Sequence, residues 1–291
     1  MSPDMAESAN KYYLPDPSPW PILMTIAVFS LLLGTGLSIN GLWPGTVLVV
    51  LALALFAYLL FAWFGDIVRE NSEGLYNERV DSSFRQGMVW FIASEVFFFL
   101  AFFASLYYLR TVAADWLTGK GYLAGTHELL YNQFFAEWPR TGPGIKEEFE
   151  PMGAWGVPAI NTVILLTSGA TITWAHWGLK TGNRGLLIKG LALTIVLGLV
   201  FVVMQAMEYQ EAYQHLHLTL QSGVYGSTFF MLTGFHGLHV TIGSIMLAAI
   251  LGRSLKGHFT PQNHFAFEAV AWYWHFVDVV WLGLFIFVYV M

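Results

Sequence analysis

Five ionisable side chains stand inside stretches that are otherwise apolar enough to cross a bilayer: Glu95, His236, His239, His275 and Asp278. Glu95 lies eight residues past Gly87, roughly 12 Å into a helix at 1.5 Å rise per residue, and VFFFLAFF follows it directly. An unpaired charged carboxyl there costs several kcal/mol, so Glu95 is expected to be protonated, or bound to a cation or a hydrogen-bond donor. Its chemistry would be that of a proton-active group or a lipid-headgroup ligand, since intramembrane carboxyls default to function; the plainer alternative is a neutral hydrogen bond between helices. The histidines invite a metal or haem reading, but their spacing opposes it. Axial haem ligands come from facing helices, whereas His236 and His239 are i, i+3 on one face. Glu211 and His215 are i, i+4 at a helix end rather than the Glu-x-x-His of a di-iron site. Packing histidines, lipid contacts and proton-pathway roles all remain open for His236, His239 and His275. Measured from the inner membrane surface, His236 and Asp278 fall at similar depths of about 22 and 20 Å. A hydrogen bond between them is expected, with a bond from His275 to Asp278 inside one helix as the alternative.

A second group flanks the apolar stretches. Arg253, Lys256 and His258 form a basic cluster that suits an anionic headgroup or serves as ordinary positive flanking. Asp66, Arg69 and Glu70 close the second stretch, and Glu208 and Glu211 close the fifth, where a solvated end is the expected role. His176 and His215 are placed at the interface. Trp20, Trp43 and Trp63 sit where interfacial aromatic belts form. Gly226, Gly234 and Gly237, with Ser227 and Thr233, predict a helix face packed closely against a neighbour.

The elements that must carry these side chains are membrane helices. Of 291 residues, 56% are hydrophobic and only 11% charged, far below the roughly 25% charged content of soluble domains. Seven spans are predicted, near 20–39, 43–63, 87–109, 157–177, 186–208, 224–251 and 265–290, which gives an all-α polytopic protein in a single transmembrane domain. Nine of the 13 Lys and Arg fall on one side, so the N-terminus is expected inside and the C-terminus outside. The outer loop 110–156 carries Asp115, Glu128, Glu137, Glu147, Glu148 and Glu150; it either caps the outer face or is flexible. The absence of cysteine excludes disulfides, thiolate metal sites and thiol nucleophiles. A net charge of −6 argues against nucleic acid as a partner. The first 19 residues have neither a basic nor an apolar leader region, so no cleavable signal peptide is expected.

Several long motifs then occur in a telling order: DIVRE at 66–70, RQGMVWFIASEVFFFLAFF at 85–103, VPAINTVILLTSGATITWAHWGL from Val157, GVYGSTFFMLTGFHGLHVTIGS from Gly223, and HFAFEAVAWYWHFVDVVWL from His264. Together they resemble subunit III of cytochrome c oxidase, in the haem-copper oxidase family, over most of Pro19 to Met291. The resemblance implies seven helices arranged as two plus five around a cleft that holds phospholipid. It implies a noncatalytic subunit with no metal or cofactor of its own; haem and copper would sit in partner subunits I and II, which this chain would stabilise while supporting proton uptake. Glu70, Glu95 and His239 would line the cleft with Trp63 nearby, and Arg253, Lys256 and His258 would serve a second headgroup. The chain departs from the family where Leu75, Tyr76 and Asn77 replace a common His-His after Gly74, and where Gly65 precedes Asp66. The outer loop is also longer than in mitochondrial members, and a bacterial plasma membrane is the expected location. A quinol oxidase subunit is the near alternative, although those often have five helices; a free-standing transporter is the distant one, and no inverted repeat supports it.

Overall fold

A computed structural model describes residues 13–14, 17–120, 124–132, 134–135, 138–139, 142 and 149–291. Lys11, Glu137, Arg140, Lys146, Glu147 and Glu148, used in the charge argument, lie outside the described residues. In hydrocarbon every backbone polar group must be satisfied by the protein itself, which helices do within one segment, and the described residues contain helices and no strands. Seven are long and apolar enough to cross a membrane. They are α1 (Trp20–Ile39), α2 (Trp43–Ser72), α3 (Glu78–Tyr107), α5 (Val157–Lys180), α6 (Arg184–Gln214), α7 (Gly223–Leu255) and α8 (Phe265–Leu284), with a short α4 (Ala124–Leu130) in the outer loop. Helix α3 continues through a wider-wound turn, Tyr108–Ala113, into Ala114–Leu117, and α8 ends in a similar turn, Phe285–Val290. The predicted starts of α1, α2, α5 and α8 agree with the structure, but α2, α3, α6 and α7 run several residues further into polar sequence. The hydrophobic window marks where lipid ends, and a helix can continue past that point on its own hydrogen bonds.

The chain divides into two compact units, residues 1–86 and 87–291, and the boundary falls within α3. In the first, α1 and α2 form a hairpin with glycine at the crossing. A Cβ on Gly45 would lie 2.4 Å from the Ser38 amide nitrogen and 2.7 Å from the Gly34 carbonyl, so the two backbones meet directly. Ser38 and Thr46 share a hydroxyl hydrogen bond at the same level. At the opposite end of the hairpin the Trp20 indole donates to Asp66, which is also paired with Arg69.

In the second unit α5 packs on α6, α6 on α7, α7 on α8, and α8 back on α5. The tight α5–α6 link turns on Gly182 at φ 70°, and the Asn183 side chain caps α6 by accepting from the Leu186 amide. Helix α8 carries the centre of the core. Trp274 and Trp281 are fully buried, and their indole nitrogens donate to Ser168 and Thr162 of α5, both at 2.9 Å. The Trp274 ring lies so close to Gly198 of α6 and Gly243 of α7 that an added Cβ would stand 2.7 and 2.9 Å from it. One indole therefore touches three helices. The part of α3 in this unit joins through aromatic rings, with Phe98 against Phe235 and Phe99 against Phe276. Described parts of the outer loop also pack down: Trp138 and Phe149 lie against Tyr225 of α7, and the Glu150 amide donates to the Leu216 carbonyl.

Candidate functional site

The most consequential pair in the second unit is Glu95 of α3 and His239 of α7, with Nε2 of the imidazole 3.0 Å from Oε2 of the carboxyl. The apolar residues around Glu95 fill lipid-depth positions on α3, and the imidazole reaches its carboxyl from α7. His239 Nδ1 is 2.6 Å from the Phe235 carbonyl, which can only accept, so Nδ1 carries a proton. The short Nε2–Oε2 bond then needs a second proton, supplied either by an imidazolium facing a carboxylate or by a carboxylic acid facing a neutral imidazole. In both cases the pair is neutral overall and holds one exchangeable proton in the gap. Rings of Phe99 at 5.0 Å and Tyr273 at 6.3 Å from the imidazole cover it. The pair is largely covered but not sealed.

The other intramembrane groups take separate partners. His236 is fully buried, and its Nε2 reaches the Val277 carbonyl at 3.2 Å. Asp278 instead lies 3.5 Å from His275 Nδ1, whose other ring nitrogen meets Thr173 of α5 at 3.2 Å. The expected His236–Asp278 bond is thus replaced by the within-helix alternative. Equal depth placed the two residues at one level, but Asp278 faces α5, where Gly169 leaves room for its carboxylate, while His236 faces Phe201 and Trp281. At the end of α7, Arg253 stacks over the Phe259 ring at 4.6 Å, and Lys256 and His258 are exposed. In the first unit Trp63 is half-buried on α2, and Glu70 accepts from the Tyr76 hydroxyl at 2.6 Å. Burial, and then Glu70 itself, raise the Tyr76 phenol well above its ordinary range, so it stays a donor.

Two features lie beyond the sequence reading. Glu208, expected at a solvated helix end, is only 2% exposed and accepts from the Tyr289 hydroxyl. Helix α6 runs on to Gln214, which carries Glu208 back inside the bundle, and Tyr289 reaches it from the chain terminus. His176, placed at the interface, is joined by His264 and Glu268 at one end of α5 and α8. The i, i+4 spacing of His264 and Glu268 was visible in the sequence; the approach of His176 was not.

Residues 10–291 match the family model described as cytochrome c oxidase subunit III. The chain belongs to the cytochrome c oxidase subunit III family. Among curated relatives, cytochrome c oxidase subunit 3 of Cyprinus carpio and of Scyliorhinus canicula are each 46% identical over 286 residues, and that of Danio rerio is 47% identical; each comparison covers 98% of both chains. Membership in this subunit III family ties the chain to the respiratory chain. It also corrects one expectation. The relatives are fish and shark proteins, eukaryotic oxidase subunits of the mitochondrial inner membrane, against the expected bacterial plasma membrane, for which the mitochondrial inner membrane was the less favoured alternative. Loop length outside the bilayer reports on neighbours and tolerance to insertion, not on which membrane holds the helices.

Proposed function

We propose that this chain is the noncatalytic subunit III of a proton-pumping cytochrome c oxidase, binding subunits I and II, retaining phospholipid and supporting proton uptake. Haem and copper belong to the partner subunits in this reading. The observation that carries it is the Glu95–His239 pair, a one-proton couple at membrane depth that is held in place by the Phe235 carbonyl and keeps a small exposed edge, 12% of the His239 side chain and 22% of Glu95. Such a couple can donate to or accept from a headgroup or a proton carrier without leaving a bare charge in hydrocarbon. Two further features support the lipid role. Arg253 is pre-oriented by its ring contact beside exposed Lys256 and His258, and α1 and α2 present long apolar faces. Trp63 and Glu70, with Tyr76 donating to the latter, are the residues of the first unit assigned to the same role.

The test uses the assembled oxidase carrying Glu95→Gln, Glu95→Ala or Arg253→Ala. Phospholipid per complex and the duration of steady turnover are expected to fall, while haem spectra and initial electron transfer stay near those of the unaltered complex. Loss of haem from Glu95→Ala alone would overturn the reading.

A further inference from the structure

Glu208 is a buried carboxyl that the Glu95–His239 couple does not use. It is 2% exposed, and among the described residues it makes no ion pair. It lies six residues before the end of α6, about 9 Å inside the helix at 1.5 Å rise per residue. Asn161 stands four residues past the start of α5, about 6 Å in, and Tyr289 belongs to the wide turn that follows α8. These three elements meet at one end of the bundle.

Phe201, Gln205, Glu208 and Ala212 are buried along one face of α6. Gln205 is 5% exposed and Asn161 0%. The Asn161 amide donates to the Phe201 carbonyl at 3.4 Å, which seats it beside the turn that leads to Gln205. Gln205 in turn lies close enough to act on both the Glu208 carboxyl and the Tyr289 hydroxyl. Ring contacts with Phe229 at 5.5 Å and Trp281 at 5.9 Å fix Tyr289.

Four polar atoms of this group are buried and make no hydrogen bond: Asn161 Oδ1, both ends of the Gln205 amide, and Glu208 Oε2. A carbonyl can only accept, so the Asn161 nitrogen faces Phe201 and its oxygen is the one left over. Gln205 has one unsatisfied donor and one unsatisfied acceptor whichever way its amide is turned. At Glu208 the Tyr289 hydroxyl donates to Oε1. A buried carboxylate with no counter-ion is heavily penalised, so these surroundings select the neutral acid. Its proton then sits on Oε2, the oxygen that Tyr289 leaves open.

Water fits this set of atoms. A buried water takes roughly two to four polar partners, and here it can accept from the acid and from the Gln205 nitrogen while donating to the Gln205 or Asn161 oxygen. A metal cation fits poorly, because it would bind the oxygens and leave the amide N–H groups unpaired beside a like charge.

We propose that Asn161, Gln205, Glu208 and Tyr289 form an internal water-binding site, in which Glu208 is held as a neutral acid that donates its proton to the bound water. The site is separate from the Glu95–His239 couple and does not depend on lipid retention.

The assembled oxidase is imaged at a resolution that shows ordered water. The expected result is a density peak at hydrogen-bond distance from Gln205 and from Glu208 or Asn161. A direct bond from Gln205 to Glu208 with no peak between them would overturn the site, and so would an ion ringed by oxygens alone. Infrared absorption reads the proton. The unaltered complex should show a carboxylic acid C=O band that is lost in Glu208→Gln, and in Tyr289→Phe that band should move to higher frequency as its C=O loses a hydrogen bond. If Glu208→Gln loses no acid band, Glu208 is ionised and the proposal sinks; an unmoved band in Tyr289→Phe contradicts the placing of the proton on Oε2. Should either variant fail to assemble, the density of the unaltered complex alone decides.

Discussion

The arrangement around His239 makes a proton count, not a charge, the property to measure. Because the Phe235 carbonyl holds the Nδ1 proton, the Nε2–Oε2 gap keeps one proton wherever it resides. Replacing His239 with Phe removes the acceptor and leaves Glu95 among rings, where a lone carboxylate costs several kcal/mol. Glu95 in His239→Phe is therefore expected to be a protonated acid. Carboxyl infrared spectra should show a C=O band that vanishes in the double variant His239→Phe/Glu95→Gln. An ionised Glu95 in His239→Phe would refute the expectation that the isolated carboxyl is neutral there. The sequence made Glu95 legible as a group in need of a partner, because its apolar neighbours define its surroundings. It did not make the partner legible: His236 and His239 share a helix face by spacing, and only the seating of α3 against α7 distinguishes them.

Between helices, the glycines set how closely α5, α6, α7 and α8 approach, and the cost of filling each depends on what it meets. On Gly190 an added methyl would stand 2.8–3.0 Å from Ala175, including its backbone, so α5 and α6 would have to separate. On Gly169 it would meet only the Asp278 carboxylate tip at 2.2 Å, which can swing away at the loss of its His275 contact. Gly190→Ala is expected to destabilise the oxidase by about 1–3 kcal/mol, the usual range for overpacking. Gly169→Ala should cost less, and Asp278→Ala should remove most of what remains. Thermal unfolding of the four assembled proteins, the double variant included, measures both; an equal loss at Gly190 and Gly169 would contradict the distinction. Trp274→Ala should be worse than either, about 3–5 kcal/mol, because it empties the space between Gly198 and Gly243 and removes the indole's bond to Ser168. The close-packed face expected at Gly226, Gly234 and Gly237 lies elsewhere: Gly237 meets nothing within 4 Å, Gly234 only the Tyr209 hydroxyl at 3.5 Å, and Gly226 the turn before its own helix, while the tight contacts between helices fall at Gly190, Gly198 and Gly243. Their partners were hidden, since Trp274 reaches two glycines and a serine on three other helices, and Glu208 reaches Tyr289 across 81 positions.

For the molecule as a whole, the span count was legible because the bilayer is a strict solvent: about 20 apolar residues can cross it only as a helix or in a closed barrel. Seven is an odd number, so the termini are expected on opposite sides, with the basic-rich segments and the N-terminus inside. Epitope tags at the two ends, exposed to protease from one side at a time, should be cut from opposite faces; cleavage of both from the same face would mean that one helix does not cross. The compartment was not legible. The same transverse geometry bears on the neutral Glu95–His239 couple. Its two atoms are 3.0 Å apart, so a proton passing between them moves less than about a tenth of a hydrocarbon core about 30 Å thick. Moving a full charge across that core costs about 2.3 kcal/mol per 100 mV, so this transfer feels at most about 0.2 kcal/mol of it. An energised membrane therefore leaves the couple's internal equilibrium almost unchanged, and the position of its proton is set by whatever lipid or residue faces it rather than by the voltage the enzyme builds.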